Sequence, residues 1–261
     1  MSRVFITGSS DGLGLMAARL LIEQGHKVVL HGRSDSRSRD ALSAALGAEG
    51  AVTGDLSTIA GTRAVADAVN NLGRFDSVIH NAGVGYRESR RTQTASGVPS
   101  VFAINVLAPY ILTVLIERPK RLVYLSSGMH RSVRLRMDDL LWTKRAWSGS
   151  TAYAESKLCD VLLAFAVAQR WKNVLSNALE PGWVATKMGG PSAPDDLHQG
   201  CVTQAWLATS EDQLARSTGS YFYHQGLRAP NPMANDLRTQ EELLAECGRI
   251  SGIAFTDQPL R

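Results

Sequence analysis

The sequence predicts an α/β fold: a doubly wound parallel sheet with helices on both faces. Short apolar runs alternate with helical patterns from Arg3 onward, which is typical of a mostly parallel sheet. A glycine-rich turn, residues 8–14, separates the first apolar run from the first helical pattern. Each predicted strand ends in a small or polar cluster. The 261 residues contain no repeat or linker, so we expect one domain over residues 1–261.

The elements follow from hydrophobic periodicity. Apolar runs predict strands at residues 3–7, 27–31, 51–54, 77–80, 122–125, 174–179 and 221–223. Helical patterns predict helices at residues 15–24, 36–46, 59–72, 101–117, around Tyr153, 200–207 and 237–250. A polar loop, residues 83–99, precedes the apolar helix. Residues 187–200 are rich in Gly, Pro, Ser and Asp, which favours a mobile substrate loop over about residues 183–200; a plain surface loop is the alternative.

Composition excludes several classes of function. The net charge of +4 is small and mostly dispersed, so we expect no nucleic-acid partner. The cysteines Cys159, Cys201 and Cys247 lack metal-ligand spacing, so we expect no metal site and reduced thiols. The longest apolar stretch, residues 101–116, is shorter than the roughly 20 residues of a membrane span, and no signal-peptide pattern is present. We therefore expect a soluble, cytoplasmic protein without a membrane partner.

The glycine-rich turn predicts a dinucleotide site of the Rossmann type. It lies between a strand and a helix, where backbone N–H groups and the helix dipole hold a pyrophosphate that bulky side chains would exclude. The G-x-x-x-G-x-G spacing is wider than the commoner G-x-G-x-x-G pattern. The expected cofactor contacts here are Gly8, Ser9, Ser10, Asp11, Gly12, Leu13 and Gly14.

Arg33 follows the second predicted strand and bears on the choice of cofactor. An acidic residue there would bind a ribose 2′-hydroxyl, whereas a cation accommodates a 2′-phosphate. The guanidinium matches phosphate geometry, so the sequence favours NADP(H) over NAD(H). An ordinary surface arginine is the alternative interpretation.

Tyr153 and Lys157 are four residues apart in a helical pattern, so their side chains share one face. The ammonium favours the phenolate, and we expect the tyrosine pKa of about 10 to fall toward neutrality. Such a tyrosine exchanges a proton with a carbonyl or alcohol oxygen. Taken alone, the pair also fits a half-buried tyrosine beside a surface lysine.

The ordered motifs identify a family. The chain resembles the short-chain dehydrogenase/reductase family over essentially its full length. The matching positions, in the family's order, are Thr7-Gly8-x-x-x-Gly12-x-Gly14, Asp55, Asn81-Ala82-Gly83, Asn105, Ser127, Tyr153-x-x-x-Lys157 and Pro181-Gly182. The resemblance implies oxidation of alcohols or reduction of carbonyls with a nicotinamide cofactor.

The resemblance also implies roles for individual residues. Tyr153 is the expected general acid and base, and Ser127 donates a hydrogen bond to the substrate oxygen. Lys157 lowers the tyrosine pKa and binds the nicotinamide ribose. Asn105 is expected to hold a water of a proton relay, with an ordinary helix-bend asparagine as the alternative. The remaining expected cofactor contacts are Asp55, Leu56, Asn81, Ala82, Gly83, Pro181, Gly182, Val184 and Thr186.

Within the family, the chain is most similar to the branch of the retinol dehydrogenases and the WW-domain oxidoreductase. The similarity lies in Ser126-Ser127-Gly128-Met129-His130, in Tyr153-Ala154-Glu155-Ser156-Lys157-Leu158, and in the tail after Gly219. A membrane-bound retinoid role is not expected, because the sequence lacks an N-terminal anchor pattern. A homodimer and a homotetramer both stay open as assemblies.

The leading hypothesis is an NADP(H)-dependent oxidoreductase that interconverts a small-molecule carbonyl and alcohol. The alternative is a sensor or partner-binding protein that binds NADP(H) without turnover. A third class, a sugar-nucleotide epimerase or dehydratase on the same fold, disagrees with the glycine spacing. His130 and His198 are weaker candidates, because a lone histidine is more often structural.

Overall fold

An eight-stranded sheet runs through the centre of the computed structural model, which describes residues 1–257. The strand order is β3-β2-β1-β4-β5-β6-β7-β8; the first seven are parallel and β8 is antiparallel to β7. The strands are β1 Arg3–Ile6, β2 Lys27–Gly32, β3 Gly50–Thr53, β4 Ser77–His80, β5 Arg121–Leu125, β6 Leu175–Glu180, β7 Tyr221–Tyr223 and β8 Gly226–Leu227.

Helices cover both faces of this sheet, as the sequence predicts. They are α1 Gly12–Glu23, α2 Asp35–Ala44, α3 Ile59–Asn71, α4 Ser100–Phe102, α5 Ala108–Leu115, α6 Gly149–Arg170, α7 Gln199–Thr209 and α8 Leu237–Ser251. One apolar core contains residues of α1, α2 and α7, and the other contains residues of α3, α5, α6 and α8. The predicted doubly wound α/β class is confirmed.

Strand β5 shows why the strands read as continuous apolar runs. All five of its residues are buried. Leu122 and Tyr124 belong to one core, and Val123 and Leu125 belong to the other. Successive side chains point to opposite faces of a sheet, so a strand covered on both faces has no solvent-facing positions.

The chain reverses its winding direction at β1, which has β2 on one side and β4 on the other. In an open parallel sheet this arrangement leaves a crevice beyond the carboxyl ends of the two neighbouring strands. The predicted glycine turn follows β1, and Asn81-Ala82-Gly83 follows β4. The topology therefore brings both motifs to the mouth of one crevice.

The predicted helix at residues 101–117 is interrupted. The chain forms α4, then a π-helical segment Ala103–Leu107, then α5, which ends at Leu115. Pro109 lies at the start of α5, where its missing N–H costs little. Asn105 lies inside the π segment. Such π bulges occur frequently at functional sites.

Two other elements differ from the prediction. Helix α1 begins at Gly12 instead of residue 15, because the glycines of the turn form its first turn. Strand β8 was not predicted. It pairs with β7 through His224 and Gln225, which both have positive φ, 46° and 62°. Such a tight hairpin normally carries Asn-Gly or Asp-Gly, so His-Gln gives no sequence signal. Among residues 1–257, no helix is both long and apolar enough to span a membrane.

Candidate active site

A cavity of about 1250 Å³ opens beyond the carboxyl ends of the strands. It extends from the glycine turn and Arg33 to Tyr153 and the segment after β6. Eighteen of the sequence-predicted positions line it: Gly8, Ser10, Asp11, Gly12, Leu13, Arg33, Asp55, Leu56, Asn81, Ala82, Gly83, Ser127, Tyr153, Lys157, Pro181, Gly182, Val184 and Thr186. The fold thus brings residues from six strand ends to one cavity.

The glycine turn fits a pyrophosphate. Helix α1 begins inside it, and the side chain of Asp11 at the helix N-cap makes no capping hydrogen bond. Gly8 and Gly12 both have positive φ, 62° and 55°, a conformation that favours glycine. A Cβ on Gly8 would lie 2.8 Å from Cα of Ala82, so a larger residue would push the turn away from β4. The N-terminus of α1 therefore faces the cavity through a turn that only small residues can form.

His31 and Asn81 hold this turn in place. The Gly8 N–H donates to Nδ1 of His31 at 3.0 Å, and His31 Nε2 donates to the Gly54 carbonyl at 3.0 Å. Burial lowers the pKa of His31 to about 4, so the ring is neutral and can accept this bond. Asn81 Nδ2 donates to the carbonyls of Thr7 and Gly8 at 2.9 Å and 3.1 Å. The sequence identified Asn81 but not His31.

Ser9 and Gly14 were predicted to contact the cofactor, but neither lines the cavity. Ser9 is fully buried: its hydroxyl donates to Ile6, and its N–H donates to the His31 carbonyl. Gly14 packs behind the turn, where a Cβ would overlap the Asn81 amide nitrogen. Both residues shape the turn from within.

Three cations and a carboxylate surround the end of the cavity near β2. Arg33 has no hydrogen-bond or ion-pair partner within residues 1–257. Arg37, on the first turn of α2, lies beside it in the cavity wall and pairs with Asp11 at 2.6 Å. Lys187 pairs with the same carboxylate at 2.8 Å. Both cations lower the pKa of Asp11 against the opposing effect of burial. Arg37 was missed, although its spacing of four residues from Arg33 was a visible signal.

Tyr153 and Lys157 lie on one face of α6, as predicted, and both line the cavity. The Lys157 Nζ is 5.9 Å from the centre of the tyrosine ring. The expected fall of the Tyr153 pKa is not found. Burial raises that pKa, and it outweighs the lowering effects of Lys157 and of the neighbouring Ser127 hydroxyl. Tyr153 therefore holds its proton at neutral pH.

Ser127 follows β5 and is held by the short helical segment Gly128–Ser132 after it. His130 is fully buried, and its Nδ1 donates to the Ser127 carbonyl at 2.7 Å. Its Nε2 accepts the Asn231 N–H at 3.2 Å. Burial lowers the His130 pKa to about 4, so this neutral ring fixes the backbone that carries Ser127. His130 supports the site without lining the cavity, and His198 does not line it either.

Asn105 does not line the cavity; it links two segments that do. Its Oδ1 accepts the Val84 N–H at 2.8 Å, and its Nδ2 donates to the Val84 carbonyl at 3.1 Å. The same Nδ2 donates to Ser156 Oγ on α6 at 2.9 Å. A Cβ on Gly83 would lie 3.4 Å from Asn105 Oδ1 and 3.5 Å from Lys157 Nζ, so both polar atoms approach one point of the chain.

A buried charge network anchors the N-terminal half of α6. Arg145 pairs with Glu155 at 2.5 Å and with Asp139 at 3.3 Å, and it stacks on Trp142 at 3.6 Å. Both carboxylates are buried. Because a buried carboxylate needs a partner, Arg145 fixes the loop before α6 against the helix that carries Tyr153.

The segment that follows β6 forms one wall of the cavity. Trp183 donates through its indole nitrogen to the Gly189 carbonyl at 3.0 Å, and its backbone N–H donates to Asp195 at 2.6 Å. Met188 lies against Gly85 of the loop after β4. Trp183 is 53% exposed although it lines the cavity. This segment lies within the predicted substrate loop, residues 183–200. Tyr86, Met129 and Tyr223 also line the cavity and were not predicted.

Comparison with known proteins identifies relatives of the whole chain. The short chain dehydrogenase family matches residues 2–121. An uncharacterized oxidoreductase of Emericella nidulans is 46% identical over 257 residues, covering 97% of this chain and 98% of that protein. The short-chain dehydrogenase chyC of Penicillium rubens is 40% identical over 258 residues, covering 97% and 98%. Retinol dehydrogenase 13 of Homo sapiens is 28% identical, covering 98% and 87%.

Solved structures share the fold. An uncharacterized protein from Mycobacterium paratuberculosis has a TM-score of 0.83 at 24% identity, covering 98% of this chain and 95% of that one. A metagenomic short-chain oxidoreductase in complex with NADP has a TM-score of 0.62 at 26% identity, covering 85% and 96%. The predicted similarity to the retinol dehydrogenase branch is confirmed by the relatives. The chain belongs to the short-chain dehydrogenase/reductase family, whose members are oxidoreductases.

Proposed function

We propose that the protein is an NADPH-dependent reductase of small-molecule carbonyls, with Tyr153 as the proton donor. The observation that carries the proposal is the shared cavity. Ser127, Tyr153 and Lys157 line one end, and the glycine turn with Arg33 lines the other. A nicotinamide cofactor extended between them would bring its reactive ring to the tyrosine.

The residues of the site suit carbonyl reduction. A bound nicotinamide would supply the hydride to the carbonyl carbon. Tyr153 would donate its proton to the carbonyl oxygen as negative charge develops there, and Ser127 would stabilise that charge with a hydrogen bond. Burial raises the Tyr153 pKa, so the phenol is protonated at neutral pH, as a proton donor must be. In the reverse reaction the phenolate would be the base.

The proposed preference for NADPH rests on Arg33 and Arg37. Arg33 has no partner in the described part of the chain and can turn fully to a 2′-phosphate. Arg37 and Lys187 neutralise Asp11, which would otherwise repel that phosphate. The NADP complex of the metagenomic relative supports the same assignment.

The proposal also gives roles to Asn105 and to the substrate loop. Asn105 would hold the water of a proton relay beside Lys157, close to the point where both polar atoms approach Gly83. Residues 183–200 would close over the substrate within a single cofactor-binding domain. The partner is a small molecule, and homodimer and homotetramer stay open.

The activity is tested by following NADPH oxidation with a panel of aldehydes and ketones. We expect turnover with at least one carbonyl and nearly complete loss in Tyr153→Phe. Tyr110→Phe is the matched control, because Tyr110 is a buried tyrosine whose hydroxyl donates to the Ile253 carbonyl away from the cavity. Tight NADPH binding with equal inactivity of wild type and Tyr153→Phe would instead indicate the silent cofactor-binding protein.

The cofactor preference is tested by dissociation constants. Arg33→Ala should raise the constant for NADPH by about tenfold or more and leave that for NADH nearly unchanged, since a hydrogen bond to a charged group is worth about 1.5–3 kcal/mol. Arg39→Ala, an exposed arginine of α2 that does not line the cavity, is the control. Equal effects of Arg33→Ala on both cofactors would refute the assignment.

A further inference from the structure

Lys157 is engaged by a buried carboxylate that the proposed mechanism does not use. Its Nζ donates to Asp160 Oδ2 at 2.8 Å and to the Leu125 carbonyl of β5 at 2.7 Å. Lys157 is 4% exposed and Asp160 is 2% exposed. Two of the three N–H groups of the ammonium are therefore fixed by the protein, and the third remains for the cavity.

Glu155 of α6 also acts on this region but is paired with Arg145, and four further titratable groups nearby are uncharged near neutral pH. Burial raises the pKa of Tyr124 on β5, and it raises the pKa of Cys159 on α6 well above the usual range. Burial lowers the pKa of His80 on β4 to about 3 and raises that of Cys247 on α8. Tyr86, from the loop after β4, lies with its ring 5.7 Å from the ring of Tyr153 and opposes formation of the phenolate.

Among residues 1–257, Lys157 and Asp160 are the charged side chains that act most strongly on Tyr153. The ammonium favours the phenolate, and the carboxylate opposes it. Because both charges are buried together, the lysine presents the tyrosine with much less net positive charge than a lone ammonium would. The helix spacing of three residues makes this pairing a local feature of α6.

We propose that Asp160 is a positioning residue for Lys157: it fixes the ammonium against β5 and offsets part of the positive charge that reaches Tyr153. This inference rests on the proposed role of Tyr153 as proton donor. The overall equilibrium is set by substrates and cofactor. What Asp160 would set is the pH at which each direction is fastest, with reduction near neutral pH and oxidation at alkaline pH.

The experiment titrates Tyr153 directly in the full-length, cofactor-free protein. Tyrosine is labelled with carbon-13 at the ring carbon that bears the hydroxyl, and the Tyr153 signal is assigned by its loss in Tyr153→Phe. In the wild type we expect an ionisation midpoint above the ordinary value of 10.0. Asp160→Asn removes the charge but keeps the shape, and should lower the midpoint by about one unit. Asp160→Glu should restore it, and the exposed Asp40→Asn should leave it unchanged.

Two results would overturn the inference: a wild-type Tyr153 that ionises near neutrality, or a midpoint that Asp160→Asn leaves in place. Asp160→Ser is a second neutral variant that must shift the midpoint in the same direction. In the active enzyme, the alkaline limb of alcohol oxidation should move to lower pH in Asp160→Asn by the same amount. The titration needs no turnover, so a shift without carbonyl reduction would count against the proposed function alone.

Discussion

Replacing Asn105 by alanine tests whether this amide holds the cavity wall to α6, the helix that carries Tyr153. The side chain is 0% exposed and makes three hydrogen bonds, two to the backbone of Val84 and one to Ser156. A net value of about 1 kcal/mol for each bond predicts a loss of about 3 kcal/mol in the free energy of unfolding. The Val84 segment lines the cavity, so NADPH binding should weaken as well.

The matched control is Asn70→Ala. The exposed Asn70 side chain also bridges two segments, donating to the Leu115 carbonyl and accepting the Glu117 N–H, both at 2.8 Å. Water can replace both partners there, so the cost should be below about 1 kcal/mol. Urea unfolding followed by circular dichroism measures both variants. If Asn105→Ala costs no more than Asn70→Ala, burial does not give the amide its structural role and the reasoning is refuted.

Three further predictions concern packing and buried charge. Gly14→Ala should lower the free energy of unfolding by about 1–3 kcal/mol and weaken NADPH binding, because the added Cβ would lie 2.8 Å from the Gly8 carbonyl oxygen. Calorimetry measures the loss, and Gly50→Ala is the control because the space at its Cβ is open. Arg145→Met should cost about 3–5 kcal/mol in urea unfolding because it leaves two buried carboxylates without their cation, whereas Arg136→Met, in an exposed pair, should cost much less. His80 is neutral in the fold with a pKa of about 3 and titrates near 6.5 when unfolded. The unfolded chain therefore binds the extra proton, and wild-type stability should fall as pH drops between those values. Between those pH values, the free energy of unfolding of His80→Leu should fall by about 1.4 kcal/mol less per pH unit than that of the wild type. Urea unfolding at several pH values measures both slopes, and equal slopes for the two proteins would contradict this prediction.

The parts of the fold that sequence predicts are those that periodicity and glycine chemistry determine. The strands buried on both faces appear as short apolar runs, and the turn at Gly8 and Gly12 requires positive φ. The β7–β8 hairpin was missed because His224 and Gln225 adopt positive φ without the usual turn residues. The π segment around Asn105 depends on tertiary hydrogen bonds that no local pattern encodes.

In the candidate site, too, some features could be predicted from the sequence and others depend on the folded structure. The order of the motifs predicts that Ser127, Tyr153 and Lys157 share one site. The protonation of Tyr153, however, depends on how deeply the fold buries its side chain. The prediction made from the spacing of Tyr153 and Lys157 includes only the charge of the lysine. It therefore expects a lowered Tyr153 pKa, whereas burial raises that pKa. The contact between Lys157 and Asp160 could have been predicted, because Asp160 lies three residues after Lys157 on the same helix. The support that His130 gives to Ser127 could not have been predicted, because the partner of His130, Asn231, is 101 residues away in the sequence.

The most direct test of the account is transfer of deuterium to a carbonyl substrate from NADPH that carries deuterium at both hydrogen positions of the reactive ring carbon. The product is analysed by mass spectrometry, and NADPH binding is measured in the same preparations. We predict one deuterium on the carbinol carbon for each cofactor consumed by the wild type, and nearly none with Tyr153→Phe, which should still bind NADPH. Consumption of NADPH without label in the product, or equal transfer by both proteins, would contradict the assignment of this cavity and of Tyr153 to carbonyl reduction.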